Sequence, residues 1–201
     1  MKIIGVCGLI GSGKGSVADI LVGNHNFQKV SFADSLKDMV ANVFNWPRHL
    51  LEGDTKESRE WREQVDQWWS TRLDIENLTP RWVLQYWGTD VCRVNFHEDI
   101  WIASVENKLS KIVNSPFEYN NIVIPDTRFP NEINMIRKLG GEVWGVRRGE
   151  DPDWMIKLIQ YGEQPNDIHP SEWSWVRENI DQLINNDSTL IELEEKVKSL
   201  L

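Results

Sequence analysis

The sequence predicts an α/β fold built on a parallel five-stranded sheet. Three observations carry that expectation. Short apolar runs are bounded by turns, amphipathic helical spacing fills the gaps between them, and the two alternate along all 201 residues. Ile3, Ile4, Val6 and Cys7 form the first run, as expected for a strand covered on both faces. Lys2 and the run that follows imitate a short signal peptide, but Gly5 and Gly8 interrupt it and a cleavage site is missing, so it reads as a strand. A Gly-rich turn follows. Val17, Ala18, Ile20 and Leu21 then lie at helical spacing, with Gly23 as the expected stop. Phe27 to Phe32 reads as the second strand. Leu36, Met39, Val40, Val43 and Phe44 mark an amphipathic helix.

Residues 46–78 carry mixed charge, four tryptophans and only loose periodicity, and read as an insertion. Thr79-Pro80 has the cap and first-turn proline of a helix start, and Gly88-Thr89-Asp90 is the expected break after it. A further helix is expected from Asp99 to Ile112. Ile122 to Ile124 form the third strand. Pro130 opens a helix that Gly140-Gly141 closes. Val143, Trp144 and Val146 form the fourth strand. The polar, proline-punctuated stretch Glu150–Trp175 reads as a mobile loop or lid. Leu183-Ile184 is the fifth strand, and a closing helix follows with Thr189 and Glu192 as a capping box.

Charge narrows the partners. With 31 acidic and 22 basic residues, the net charge of −9 gives no footprint for polymeric nucleic acid or an anionic membrane. No apolar run reaches the roughly 20 residues that span a bilayer. Two cysteines, Cys7 and Cys92, are too few for a disulfide framework and read as reduced thiols of a cytoplasmic protein. The unusual number is 11 tryptophans, which suit cores, base-binding clefts and interfaces alike.

Chemistry concentrates at Gly8 to Ser16. Gly11, Ser12, Gly13, Lys14, Gly15 and Ser16 sit between a strand and a helix. There, glycines turn backbone N–H groups around an anion, the helix N-terminus adds positive potential, and Lys14 reaches the β- and γ-phosphates. The spacing Gly8, Gly13, Lys14 is that of a P-loop, with the hydroxyl one place late at Ser16. A guanine-reading Asn-Lys-x-Asp motif is missing. Asp126 is followed by Thr127, Arg128 and Phe129, so the Asp-x-x-Gly element of GTPases is missing too.

The ordered set of motifs resembles the phage-type deoxynucleoside monophosphate kinases, which are related to dephospho-coenzyme A kinase and animal-type phosphomevalonate kinase. The set comprises the P-loop, Phe32 to Lys37, Arg81 to Arg93, Pro125-Asp126-Thr127-Arg128 with Glu132, and Asn185 to Ser188. Gly15-Ser16 departs from the acidic residue and threonine of some members. The resemblance implies a three-layer P-loop kinase fold in a single domain, 1–201, with a helical acceptor-binding insertion at 46–98 and a short lid at 147–175. It implies phosphorylation of a dNMP by ATP with Mg²⁺, small-molecule substrates only, and a homodimer.

Within that frame, Lys14, Asp126, Arg128 and Arg147 are the catalytic candidates, and Ser16 is the hydroxyl near the metal. Gly11 to Ser16, Arg148 and Asn186 would hold the donor nucleotide. Asp34, Lys37, Arg81, Gln85, Asp90, Arg93, Asp126 and Arg128 would hold the acceptor. Bland alternatives stand beside these: helix caps for Asp34 and Asp126, surface ion pairs for Arg93 and Arg128, and a solvated strand end for Arg147-Arg148. His169-Pro170-Ser171-Glu172 resembles a stretch of relatives and either contacts ligand or orders its loop. The four histidines lack metal-ligand spacing, so metal is expected to arrive with the nucleotide. A kinase of another small acceptor, or a nucleotide-binding protein without turnover, are the alternative functions.

Overall fold

The computed structural model describes residues 1–113 and 121–201. In chain order its elements are β1 (Lys2–Cys7), α1 (Lys14–His25), β2 (Phe27–Lys29), α2 (Asp34–Phe44), α3 (Lys56–Arg62), α4 (Gln67–Leu73) and α5 (Pro80–Gln85). These are followed by α6 (Ile100–Val113), β3 (Asn121–Ile124), α7 (Pro130–Lys138), β4 (Glu142–Arg147), α8 (Asp153–Tyr161), β5 (Gln182–Asn185) and α9 (Leu190–Ser199). They divide into two compact units, Met1–Ser31 with Lys108–Leu201, and Phe32–Asn107.

The first unit holds the sheet, in the order β2-β3-β1-β4-β5 with every neighbouring pair parallel. After their polar first residues, Lys2 and Asn121, the runs Ile3–Cys7 and Ile122–Ile124 are buried at every position, so both faces of these strands are covered. Ile4 and Val6 point to one face, where they share a core with Val17, Ala18 and Leu21 of α1 and with Leu193 and Val197 of α9. The opposite face is closed by α7. Its Ile136 lies so near Gly5 that a Cβ there would come within 2.4 Å of Ile136 Cδ1. Helix, sheet and helix thus form the expected three-layer α/β architecture. Parallel strands all end at one edge, so the loops after β1, β3, β4 and β5 gather there.

The second unit is helical, and tryptophan is its mortar. Leu36, Val40 and Phe44 give α2 a buried stripe at every fourth residue. Phe44 stacks on Trp46 at 4.4 Å and meets Trp69 and Trp87 edge-on at 4.8 and 5.3 Å, while Trp61 packs edge-on against Trp46. Two of the indole donors are satisfied inside the unit: Trp46 Nε1 donates to Asp66 Oδ2 at 2.8 Å and Trp69 Nε1 to the Phe44 carbonyl at 3.1 Å. Side-chain caps start the short helices. Thr55 and Ser58 form a reciprocal box on α3, Asp66 caps α4, and Thr79 caps α5 ahead of Pro80.

Four local expectations change. α1 runs through Gly23 to His25 and is ended by Asn26 in the left-handed region at φ 56°. The second strand stops at Lys29, although the Val30 N–H still donates to the Val123 carbonyl at 3.0 Å. Gly88-Thr89-Asp90 does not break its helix. The turns widen into a π-helix over Tyr86–Val94, and the buried Gly88 carbonyl accepts from Trp101 Nε1 at 2.9 Å. The stretch 150–175 is not all loop, since it contains α8 and a 3-10 turn at Pro170–Glu172.

Candidate active site

The loop between β1 and α1 is held from three sides. Gly8 and Gly13 have φ of 146° and 101°, conformations that side chains rarely adopt, and neither has room for one. A Cβ on Gly8 would fall 2.3 Å from the Val146 carbonyl, and one on Gly13 would fall 2.2 Å from Asn186 Nδ2. Asn186 is buried in the turn after β5. Its Nδ2 donates to the Ser12 carbonyl at 2.9 Å, and its own N–H donates to the Arg147 carbonyl at 2.7 Å. The Asn186 side chain is thus a clasp on the loop. Lys14 folds back over the loop and donates from Nζ to the Gly8 and Leu9 carbonyls, both at 2.7 Å.

The electrostatics are those of a cation kept out of water. Burial pushes the Lys14 ammonium down to about 8; the Arg128 guanidinium adds to this, while Glu172 and Asp126 oppose it. Burial pushes the neighbouring Cys7 thiol up to about 12, so it is neutral at pH 7. Ser12 Oγ is buried without a hydrogen-bond partner among the described residues. An orphaned hydroxyl of this kind costs about 1–3 kcal/mol unless a ligand or water meets it. Gly13 supplies no side-chain cap to α1, which leaves the helix N-terminus without a side-chain acceptor. Gly11 and Gly15 are exposed beside it, and Ser16 is half-buried in the first turn. The assembly suits a polyanion: backbone donors, a helix end and one poorly hydrated ammonium.

The loop after β3 brings Asp126 and Arg128 to the same edge. Ser31 Oγ donates to Asp126 Oδ2 at 2.6 Å. The backbone N–H groups of Arg128 and Phe129 both donate to Glu132 Oε2, at 2.7 and 3.1 Å, so a buried carboxylate fixes the start of α7. Arg128 Nη1 donates to Glu172 Oε1 at 2.7 Å and to the Ser171 carbonyl at 3.4 Å. Glu172 is the functional candidate that no local pattern identifies. The only signal is its place in the His169-Pro170-Ser171-Glu172 stretch, whose partner lies 44 residues upstream. Arg147 closes β4 and is exposed, pairing with Asp151 at 3.2 Å; Arg148 beside it is also exposed.

In the helical unit the acceptor candidates Asp34, Lys37 and Arg81 have ionic partners of their own. Asp34 opens α2 and faces Arg48 at 3.6 Å. Lys37 pairs with Glu52 at 2.6 Å, and Arg48 also binds Asp38 and Glu52. Burial alone would raise the Glu52 carboxyl, but Lys37 and Arg48 hold it below its ordinary value. Arg81 pairs with Glu63 at 2.9 Å, and Gln85 lies one turn on along α5, on the same face. In the π-helix, Arg93 Nη1 donates to the Glu98 carbonyl at 3.2 Å, and the Asp90 carbonyl accepts from Asn95 Nδ2 at 2.6 Å.

Comparison with known proteins gives these residues a lineage. A protein of Acanthamoeba polyphaga mimivirus, provisionally named a deoxynucleotide monophosphate kinase, is 31% identical over 86% of this chain and 81% of its own length. The deoxynucleotide monophosphate kinase of Enterobacteria phage T4 is 28% identical over 63% of this chain. The chain spans about half the length of that phage relative, 48% of it. A crystal structure of a Thermus thermophilus protein shares the fold, with a TM-score of 0.51 and 18% identity over 99% of this chain and 95% of that one. A family model described as deoxynucleotide monophosphate kinase matches residues 49–197, which take in Arg81 to Arg93, Asp126, Arg128 and Glu172; the phosphate loop precedes them and stands on its own geometry. By this match and the mimivirus likeness, the chain belongs to the deoxynucleotide monophosphate kinase family.

Proposed function

We propose that the chain transfers the γ-phosphoryl group of ATP to a deoxynucleoside monophosphate, releasing the deoxynucleoside diphosphate and ADP. The observation that carries this reading is the half-buried Lys14 laid on the Gly8 and Leu9 carbonyls, with Arg128 and Asp126 acting on it, in a chain of this family. An oxygen of the acceptor phosphate attacks the γ-phosphorus as its bond to the bridging oxygen of ADP breaks. Such a transfer asks the protein for alignment and charge rather than covalent chemistry.

Lys14 and the loop N–H groups take the charge of the β- and γ-phosphates, and the Arg128 fork takes phosphate oxygens. Arg147 and Arg148 stand at the end of β4 for the donor nucleotide, and the Asn186 clasp keeps the loop in shape around it. Mg²⁺ fits the oxygen donors here: the Ser16 hydroxyl and the Asp126 carboxylate are the hard ligands that would hold it with the triphosphate, where it supplies neutralisation of phosphate charge. Asp34, Lys37, Arg81, Gln85, Asp90 and Arg93 serve the acceptor, with 46–98 as the acceptor-binding insertion and 147–175 as the lid of one functional domain. Lys37 and Arg81 would exchange their present carboxylate partners for the acceptor phosphate. Both substrates belong to the cytoplasmic nucleotide pool, and we place the reaction there.

A coupled assay of ADP release with Mg-ATP and each of dAMP, dCMP, dGMP and dTMP tests the proposal. Turnover is expected with at least one and not with dephospho-coenzyme A or phosphomevalonate. Folded protein that turns over none of the four would refute the function. Lys14→Ala should remove most activity while leaving the circular dichroism spectrum unchanged.

A further inference from the structure

The segment around Glu172 is built with more care than a solvent loop requires, and the roles above do not use it. Pro170 begins its 3-10 turn, His169 Nδ1 accepts from the Ser171 N–H at 3.2 Å and is hydrogen-bonded to the Ser171 hydroxyl at 2.8 Å, and Ser174 Oγ donates to the Pro170 carbonyl at 2.8 Å. Two indoles brace it. Trp173 Nε1 donates to the Ile168 carbonyl at 3.0 Å, and the buried Trp175 donates to the carbonyl of Glu172 itself at 3.1 Å. The product of this scaffolding is one fixed carboxylate, 15% exposed, at 2.7 Å from an arginine that is 35% exposed.

We propose that Glu172 is a positioning residue that holds the Arg128 guanidinium in place for the phosphoryl group being transferred. The proposal rests on the reading of Arg128 as a phosphate ligand. The manner of contact separates positioning from blockade. A carboxylate competing with phosphate would take the arginine fork with two parallel bonds. Here Glu172 and the Ser171 carbonyl both engage Nη1, and among the described residues no acceptor engages Nη2 or Nε. The guanidinium is pinned at one corner with its other donors unclaimed. Its backbone is pinned as well, through the buried Glu132. Charge points the same way. Lys14 and Arg128 repel each other at this edge, and Glu172 and Asp126 offset them, so two cations can stand ready before a polyanion arrives.

The experiment is a double-mutant cycle on the full chain with the ADP-release assay, reading kcat and KM separately. Glu172→Ala should lower kcat by about 10- to 100-fold, the order expected when a charge-stabilising group is present but misplaced. KM for either nucleotide should stay within about threefold of wild type. Glu172→Gln keeps an acceptor oxygen at the same reach and should recover most of the loss. In the Arg128→Ala background, Glu172→Ala should lower kcat no further. Equal losses in both backgrounds, or a kcat for Glu172→Ala within twofold of wild type, would overturn the proposal. Arg128→Ala with undiminished kcat would overturn the phosphate role of Arg128 and this proposal together. Impaired Arg128→Ala beside unimpaired Glu172→Ala would sink positioning alone. If Glu172→Ala melts below the assay temperature, the same cycle is run with Glu172→Asp, whose carboxylate stands one methylene short of Arg128 and should lower kcat only where Arg128 is present. An undiminished kcat, or equal losses in both backgrounds, would overturn the proposal.

Discussion

Replacing Lys14 with methionine, which keeps the length of the side chain but not its charge, should stabilise the ligand-free protein at neutral pH and destabilise it in alkali. Lys14 titrates at about 8 in the fold, against an ordinary 10.5, chiefly because it is buried and secondarily because Arg128 is near. Each tenfold change in proton affinity corresponds to about 1.4 kcal/mol, so keeping this ammonium charged in the folded state at pH 7 costs about 3 kcal/mol. Methionine removes that cost. It also strips the Gly8 and Leu9 carbonyls of their donor, at about 1 kcal/mol each. The net at pH 7 is a gain of about 1 kcal/mol. Between about 8 and 10.5 the unfolded lysine binds a proton that the folded one has released, so wild-type stability rises with pH across that window. At pH 9.5 only about 1 kcal/mol of the cost remains, and the substitution becomes destabilising by about 1 kcal/mol. For a chain of this size 1 kcal/mol moves the melting temperature by roughly 2–4 °C. Thermal melts of the two proteins at pH 7 and pH 9.5 should therefore cross. A difference in melting temperature that stays constant over this range would refute the account of Lys14 as a poorly hydrated, destabilising charge.

Two other perturbations follow from the packing. Gly13→Ala places a side chain at φ 101° and against Asn186 Nδ2, so backbone strain and the lost Asn186 bond should together cost about 2–3 kcal/mol. In an Asn186→Ala background the steric part is absent and the cost should fall to about 1 kcal/mol, measured by denaturant unfolding; strictly additive losses would contradict the clasp. Trp101→Phe keeps an aromatic ring but leaves the buried Gly88 carbonyl without its donor, and should cost about 1–2 kcal/mol in the same measurement. An unchanged unfolding midpoint would mean that the π-helix holds itself.

Much of the scaffold was legible because it depends on local pattern. The apolar runs of β1, β3 and β4 and the Gly-Ser-Gly-Lys turn announce themselves within a few residues. Thr79-Pro80 and Thr189 do the same for their helices; the Thr189 hydroxyl accepts from the Glu192 N–H at 3.3 Å. What was illegible depends on distant partners. Gly88 looks like a helix breaker, yet Trp101, 13 residues on, supplies the donor that keeps the turn helical. Gly23 looks like a helix end, yet it is exposed and tolerated, and the left-handed Asn26 ends α1 instead. Within 150–175, charges and prolines hide α8, which buries only Leu158. Among the candidate site residues, the place of Lys14 at the end of the phosphate loop was readable from spacing alone. The link between Arg128 and Glu172 was not, because 44 residues separate them. The sequence places four of the tryptophans in 46–78, but not the cluster in which Phe44 gathers Trp46, Trp69 and Trp87 around itself.

The Asn186 clasp also sets a timetable. Its bond to the Ser12 carbonyl joins residues 174 positions apart, and β1 pairs with β3 and β4 rather than with the nearby β2. On a ribosome the phosphate loop emerges well before Val146 and Asn186, the residues that shape it. The helical unit Phe32–Asn107 leaves the tunnel in between with its own internal contacts. Contacts this far apart in sequence carry a high loop-closure cost and form slowly. Ligand binding at this loop is therefore a report that β5 has been made and has docked, since the loop takes its shape only with Asn186 in place.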